Sequence, residues 1–316
     1  MISDIFNLAF LTGLIGATLR MATPIIFATL GEIISERSGV LNLGIEGTML
    51  MGAMTGFLVT LITGSQWLGV FTAAIAGILL GLLMAFLAVY LGLSQHVSGL
   101  GITLFATGLS MFIYRLKVGS PTVPPTVDPF KKVVIPVLSD IPVIGSSIFS
   151  SYLLTYIAII LIPLVSLLLY KTKVGLKIRT VGANPFAADT VGVNVNLLRT
   201  LCLMTGGALM AIGGSFLTLA HQNMFLIDVV GGRGWIAIAM TIFGNWDPVK
   251  GAAGALIFGV LDGFQLRLQA LGFRIPFHIF LMIPYLITIV ALVSVSRKAT
   301  VPASLLKPYR REEKGS

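Results

Sequence analysis

Asn42 and Glu46 stand four residues apart in a polar, glycine-bearing stretch, Glu36-Arg-Ser-Gly-Val-Leu-Asn-Leu-Gly-Ile-Glu-Gly47, that interrupts otherwise apolar sequence. On a continuous helix this spacing puts both side chains on one face. There an amide and a carboxylate can exchange hydrogen bonds with a polar solute, or the carboxylate can cap or clamp a neighbouring helix. Gly44 and Gly47 flank them and let a solute or a second backbone come close. A second interruption, Gly231-Gly-Arg-Gly-Trp235, places Arg233 among glycines as a hydrogen-bond donor or an interfacial anchor. Arg20 and Asp262 also fall inside apolar runs. Arg20 is long enough to reach an interface. Asp262, with Gln265 and Arg267 close behind it, reads as an internal ion pair or hydrogen-bond network.

Other chemistries lack their residues. His96, His221 and His278 are scattered, with no Cys/His/acid grouping at metal spacing, so no metal is expected. There is no Gly-x-x-x-x-Gly-Lys-Ser/Thr to cradle a nucleotide, no Gly-x-Ser-x-Gly and no His-Glu-x-x-His. Neither an enzyme nor a cofactor-binding protein is expected. Cys202 is the single cysteine and forms no intrachain disulfide.

The surroundings of these residues identify their solvent. Of 316 residues 56% are hydrophobic and only 10% charged, too few to cover a water-facing surface. The expected fold is an all-α polytopic membrane protein of about eight to ten crossings with broken or re-entrant central helices. Runs near the roughly 20 residues that span a bilayer occur at 5–34, 40–63, 67–92, 97–117, 152–170, 198–220, 249–271 and 276–296, with a shorter one at 234–244. The first run exceeds one straight span, so residues 2–11 are expected as an interfacial lead-in to a helix kinked at Pro24. With Asp4 and no basic residue before Arg20, a cleaved signal is not expected. A charge at the bilayer centre costs roughly 2.5–3.5 kcal/mol, so Glu46, Asp262 and Arg20 each require a partner or a wet cavity.

The net charge of +9 is explained by topology rather than by nucleic acid. Basic residues gather at 171–179 and 297–311, beside apolar runs, and mark the cytoplasmic side. The segment 171–197 is therefore expected as a cytoplasmic loop and 297–316 as a cytoplasmic tail. The more balanced loop 118–150 is expected to be external. Four passages between loop and tail, with 234–244 as one, put both inside.

Both interruptions are followed by small residues at four-residue spacing. Gly44, Thr48, Gly52 and Gly56 form one stripe, and Gly251, Ala255, Gly259 and Gly263 the other. Such stripes let membrane helices approach closely, so these two helices are expected to be central. Non-helical backbone at membrane depth survives only where protein or a watery cavity satisfies it, and paired breaks of this kind point to a transport route.

Three blocks, at 31–47, 175–195 and 232–259, make the chain resemble the membrane permease subunits of ABC importers for branched-chain amino acids, ribose-like sugars and nucleosides. The run Ser-Gly-Val-Leu-Asn-Leu-Gly-Ile-Glu-Gly47 is most similar to the nucleoside branch, which is served by an external lipoprotein that binds purine nucleosides. The resemblance implies a single permease domain over 1–316 that moves nucleosides and hydrolyses nothing itself. Cytoplasmic ATPase subunits and a second, homologous permease chain are its implied partners. It also implies that 175–195 is the coupling segment gripped by the ATPase, with Gly175, Asn184, Pro185, Ala187, Ala188 and Gly192 as its candidate residues, of which Ala187, Ala188 and Gly192 match the family's Ala-Ala pair and downstream Gly. The family's leading Glu is replaced here by Pro185-Phe186. Import of ribose or branched-chain amino acids is the alternative, and an ion-coupled carrier a more remote one.

Overall fold

The computed structural model of the chain describes residues 8–136, 139, 145–270, 282, 286, 289, 293 and 300–310. Among the described residues ten helices carry the architecture: α1 (Leu8–Arg37), α2 (Ile45–Thr63), α3 (Gln66–Ala85), α4 (Gln95–Val118), α5 (Leu153–Lys171), α6 (Lys173–Ala183), α7 (Pro185–Thr190), α8 (Val195–Phe216), α9 (Arg233–Phe243) and α10 (Pro248–Ala270). Seven segments among the described residues are long and apolar enough to cross a bilayer, namely 10–37, 45–63, 66–90, 95–118, 153–171, 195–221 and 248–269. These match the expected runs closely. The run at 276–296 and the lead-in at 2–7 lie outside the described residues.

Two of the spans lengthen through a π turn, where Leu91 N donates to Phe86 O (3.0 Å) and Gln222 N to Leu217 O (2.8 Å). The expected external loop is not wholly irregular. It holds a helical turn, Gly145–Ile148, and two three-residue strands, Lys132–Val134 and Ser150–Tyr152, paired antiparallel with Lys132 opposite Tyr152. Tyr156 Oη, which lies 3.3 Å from Val133 O and 3.0 Å from Ile148 O, ties this patch to α5.

The bundle is organised around α2 and α8, each 72% buried over its span, whereas α4 and α5 are 33% and 28% buried and turn most of their apolar surface outward. Glycine permits this packing. A Cβ at Gly52 would run into the backbone of Ala211, one at Gly214 into the carbonyl of Met49, and one at Gly56 would lie 2.9 Å from Ser215 Cβ. The second stripe packs on α1: Gly251 meets Thr29 and Ile33, Gly259 meets Thr18 and Ala22, and Gly263 meets Ala17. Ala255 is fully buried. The α10 span is 44% buried, which makes it less central than α2.

Long-range contacts sort the connections into two ends. At one end Gln66 Nε2 donates to Asp128 O (2.7 Å), Val127 N to Asn223 O (2.9 Å) and Ser147 Oγ to Thr12 O (2.6 Å). At the other, Leu41 N donates to Gln95 Oε1 (2.8 Å), Arg37 Nε to Trp246 O (3.0 Å) and Ser304 N to Gly182 O (3.0 Å). The basic segment α6–α7 and residues 300–310 therefore share one end.

The short passage at 234–244 behaves differently from a full span. Eleven residues of α9 rise about 16 Å, half of a bilayer core of about 30 Å. The irregular segment 222–232 leads into it from α8.

Candidate functional site

Asn42 and Glu46 do not share a helical face, because α1 ends at Arg37 and α2 begins only at Ile45. The break starts at Gly39, whose φ of +93° belongs to the region glycine occupies without strain. Asn42 then turns the chain locally: its Oδ1 accepts from Gly44 N at 3.0 Å while its own N–H donates to Glu32 Oε1 at 2.9 Å. A short amide that competes with the backbone in this way favours turn over helix. Gly44 and Gly47 fit against α4, their Cβ positions meeting Ile102 and Thr103.

Glu46, in the first turn of α2, reaches across to the second break. Oε1 accepts from Gly232 N and Oε2 from Gly234 N, both at 2.8 Å. These are amides at the start of α9, which no N-terminal helix residue can satisfy internally. A carboxylate there also complements the positive end of the helix dipole. Gly234 is required by the approach, since a Cβ would lie 2.7 Å from Glu46 Cα and Oε2. The two breaks, 186 residues apart, are thus one junction. Glu46 is only partly buried, and although the Trp235 N–H also faces it, a carboxylate has about four acceptor positions and keeps some beyond these donors.

Arg233 sits beside this junction. Its Nη1 donates to Val230 O at 3.0 Å, its Nη2 lies 3.7 Å from Asp262 Oδ2, and its Nε is buried with no protein partner. Both amide atoms of Gln265, which is 2% exposed, and Nε2 of Gln269 also lack partners, as do Gln222 Oε1 and Asn223 Oδ1. An unpaired buried polar atom costs about 1–3 kcal/mol, so Arg233 Nε and the Gln265 amide, one turn on from Asp262, mark a place that water or a polar ligand completes. Arg267 turns away and donates to Phe10 O at 3.1 Å. Arg20 lines a polar cleft of about 210 Å³ with Thr12, Ser147, Ser151 and Arg267 at the end that carries the strands. Cys202 is buried and free. Among the described residues no three metal-ligating side chains cluster, and His278 lies outside them.

Two carboxylates escaped the sequence reading. Glu32 and Glu36, a turn apart on α1, are essentially fully buried. Glu36 Oε2 accepts from the Trp246 indole N–H, and Glu32 holds Asn42 N. Their signal was present, as two acids at i and i+4 inside an apolar run. Trp246 is itself 2% exposed with φ +57°, next to Asn245 at +52°. Two adjacent left-handed non-glycine residues persist only when their surroundings hold them. Trp246→Phe leaves the Glu36 carboxylate without its donor. It is expected to lower the thermal midpoint of the detergent-purified chain by an amount equivalent to about 1–3 kcal/mol, with the Glu36→Gln/Trp246→Phe double variant recovering part of the loss.

The coupling candidates divide into scaffold and surface. Gly175 is buried where α6 crosses the carbonyls of Leu168 and Leu169. Asn184 caps α7, its Oδ1 accepting from Ala187 N at 3.1 Å, and Pro185 is the first helical residue, where its missing N–H costs nothing. Ala188 is fully buried, whereas Ala187 is exposed, as are Val191 at 76% and Gly192 at φ +84°. Phe186 packs edge-on against Tyr309 with ring centroids 5.1 Å apart.

Comparison with known proteins converges on one group. The family of branched-chain amino acid transport system permease components matches residues 14–292. The putative glucose ABC transporter permease of Haloferax volcanii is 38% identical over 96% of this chain and 99% of its own length. The guanosine ABC transporter permease of Bacillus subtilis is 37% identical over 94% of this chain and 96% of its own. For the nucleoside ABC transporter permease of Lactococcus lactis the values are 33%, 89% and 91%. No solved structure matches the chain.

Proposed function

We propose a purine nucleoside as the transported solute, on the premise that this chain belongs to the family of branched-chain amino acid transport system permease components. As a member it is a multi-pass cell-membrane protein and the non-catalytic permease subunit of an ABC transporter, working with an ATPase and a substrate-binding protein. The guanosine and nucleoside permeases among its relatives support the choice of solute.

One observation carries the reading into the structure: the Arg233–Asp262 pair, with the unpartnered Arg233 Nε and the unpartnered amide of Gln265 one helical turn on from Asp262, adjoins the junction of the two breaks. Donors and acceptors side by side suit a solute rich in hydroxyls and ring nitrogens. The route we assign passes Glu46 on one side and Arg233 on the other, with Asn42, Gly44 and Gly47 packed behind Glu46 to shape the break. The chain pairs with a second permease, receives its solute from an external lipoprotein on the side of 118–150, and offers α6–α7 and the tail to the cytoplasm. ATP binding by the ATPases switches the bundle between outward and inward openings. It can do so only if α6–α7 fits the two ATPase states with different affinity.

The Haloferax relative favours a second reading, a sugar. Uptake of labelled guanosine by the complete transporter decides between them. Adenosine and guanosine in excess are expected to abolish the signal, with glucose, ribose and leucine without effect and no uptake when the ATPase is omitted. Competition by glucose and not by adenosine transfers the assignment to sugars, and uptake without ATPase ends the ABC mechanism.

A further inference from the structure

The segment 300–310 is laid across one end of the molecule and touches almost every element there. Thr300 N and Oγ1 donate to Asn245 Oδ1 at 2.8 and 3.2 Å, which joins the segment to the α9–α10 turn. Ser304 N donates to Gly182 O at 3.0 Å, and its hydroxyl lies 2.8 Å from that oxygen and 3.0 Å from Val181 O, both in α6. Arg310 reaches the Gly92 turn between α3 and α4. Tyr309, 8% exposed, joins Val181, Ala188 and Val195 in a small core separate from that of the bundle, with Phe186 against its ring.

Arg199 anchors the arrangement from α8. It is 1% exposed, and its described partners are carbonyl and hydroxyl oxygens rather than a carboxylate. Nε donates to Ser38 O (3.1 Å), Nη2 to Ser304 Oγ (3.3 Å) and Nη1 to Lys307 O (3.4 Å). A guanidinium buried in this way has its fork of donors divided between the start of the first break and the tail. Removing either side strands a buried charge.

We propose that 300–310 is a strap that fixes α6–α7 to the bundle, and that Arg199, Ser304 and Tyr309 are positioning residues for coupling between permease and ATPase. The inference builds on the reading of α6–α7 as the ATPase docking segment. A six-residue helix such as α7 has little stability of its own. Its inner face is Pro185 and Ala188, two small side chains. Tyr309 is the largest buried side chain in the little core beneath it. A docking element that swivels on its base dissipates the movement it should pass on, and the tail supplies the second point of attachment that prevents swivelling. Leu306, at φ +68°, shows that the strap follows a path its own backbone does not prefer.

The test uses the complete transporter in proteoliposomes with guanosine, reading solute imported per ATP hydrolysed, and trypsin cleavage at Lys173, Lys177 and Arg179 in the purified permease. Tyr309→Ala is expected to lower import per ATP by roughly 5- to 100-fold, the range of a site-to-site coupling. It is also expected to speed cleavage of α6, and Tyr309→Phe to restore both. Truncation after residue 299 should do the same or release the ATPase altogether while the chain stays in the membrane. Val191→Asp, at an exposed position away from the strap, serves as the docking control and should uncouple without speeding cleavage. If Val191→Asp uncouples and Tyr309→Ala changes neither stoichiometry nor cleavage, the strap is refuted and docking stands. If neither variant changes the stoichiometry, docking at α6–α7 fails first. The cleavage readout needs no solute, and unchanged cleavage in Tyr309→Ala overturns the strap whatever the transporter carries.

Discussion

Glu46→Ala reduces uptake to background while the chain still reaches the membrane and binds its ATPase: this is the largest effect expected of any single substitution. The carboxylate accepts two backbone N–H groups at 2.8 Å. Hydrogen bonds to a charged group are worth about 1.5–3 kcal/mol each, so the start of α9 loses most of what holds it. Gly234→Ala attacks the same contact from the other side, placing a methyl 2.7 Å from Glu46 Cα and Oε2, and should reproduce the phenotype. Glu46→Gln keeps one acceptor and presents an amide N–H₂ to the second donor, so an intermediate maximal rate is expected. Uptake against guanosine concentration separates the two roles of this residue. A raised KM in Glu46→Gln places the spare lone pairs on the solute route, and an unchanged KM with lowered maximal rate leaves Glu46 as the clamp alone.

The second large effect is on assembly. Gly52→Val drives a branched side chain into the backbone of Ala211 on α8. α8 has little room to retreat, because its other faces already meet backbone, Gly206 against Gly31 of α1 and Gly207 against Gly77 of α3. Overpacking typically costs about 1–3 kcal/mol, and a clash with backbone rather than with a movable side chain puts this site at or above the upper end. The variant is expected to be nearly absent from the membrane fraction. Gly101→Val and Gly108→Val, on a face of α4 with nothing within 4 Å, are expected to accumulate normally. Similar levels for all three, by immunoblot of isolated membranes, would show that the α2–α8 contact is not what holds the bundle together.

The spans were legible because the requirement they meet is local: about 20 apolar residues cross a bilayer whatever lies beside them. The breaks were legible too, since Gly39 to Gly47 and Gly231 to Gly234 put polar and glycine residues where lipid tolerates neither. The meeting of the breaks was not. Nothing in the sequence pairs Glu46 with Gly232 and Gly234, and only the packing of α9 against α1 and α2 decides it. The small-residue stripes on α2 and α10 were found by spacing, but the doublets Gly206-Gly207 and Gly213-Gly214 of α8 were overlooked, although they bring α8 against Gly31, Gly77, Pro24 and Met49. The helical relation assumed for Asn42 and Glu46 failed because an asparagine that bonds two residues ahead ends regular structure locally. Arg199 gave no warning, since its partners are carbonyls and a hydroxyl contributed by segments 161 and 105 to 108 residues away.

The half-length helix α9 is moored at both extremities to different neighbours, to α2 through Glu46 and to α1 through Trp246, Glu36 and Arg37. A rod pinned twice cannot tilt without dragging its moorings, so it is a link in a mechanism rather than a flap. Whatever opens the conduit must therefore carry α1, α2 and α9 along as one block, and the give has to lie where that block meets the more loosely embraced α5.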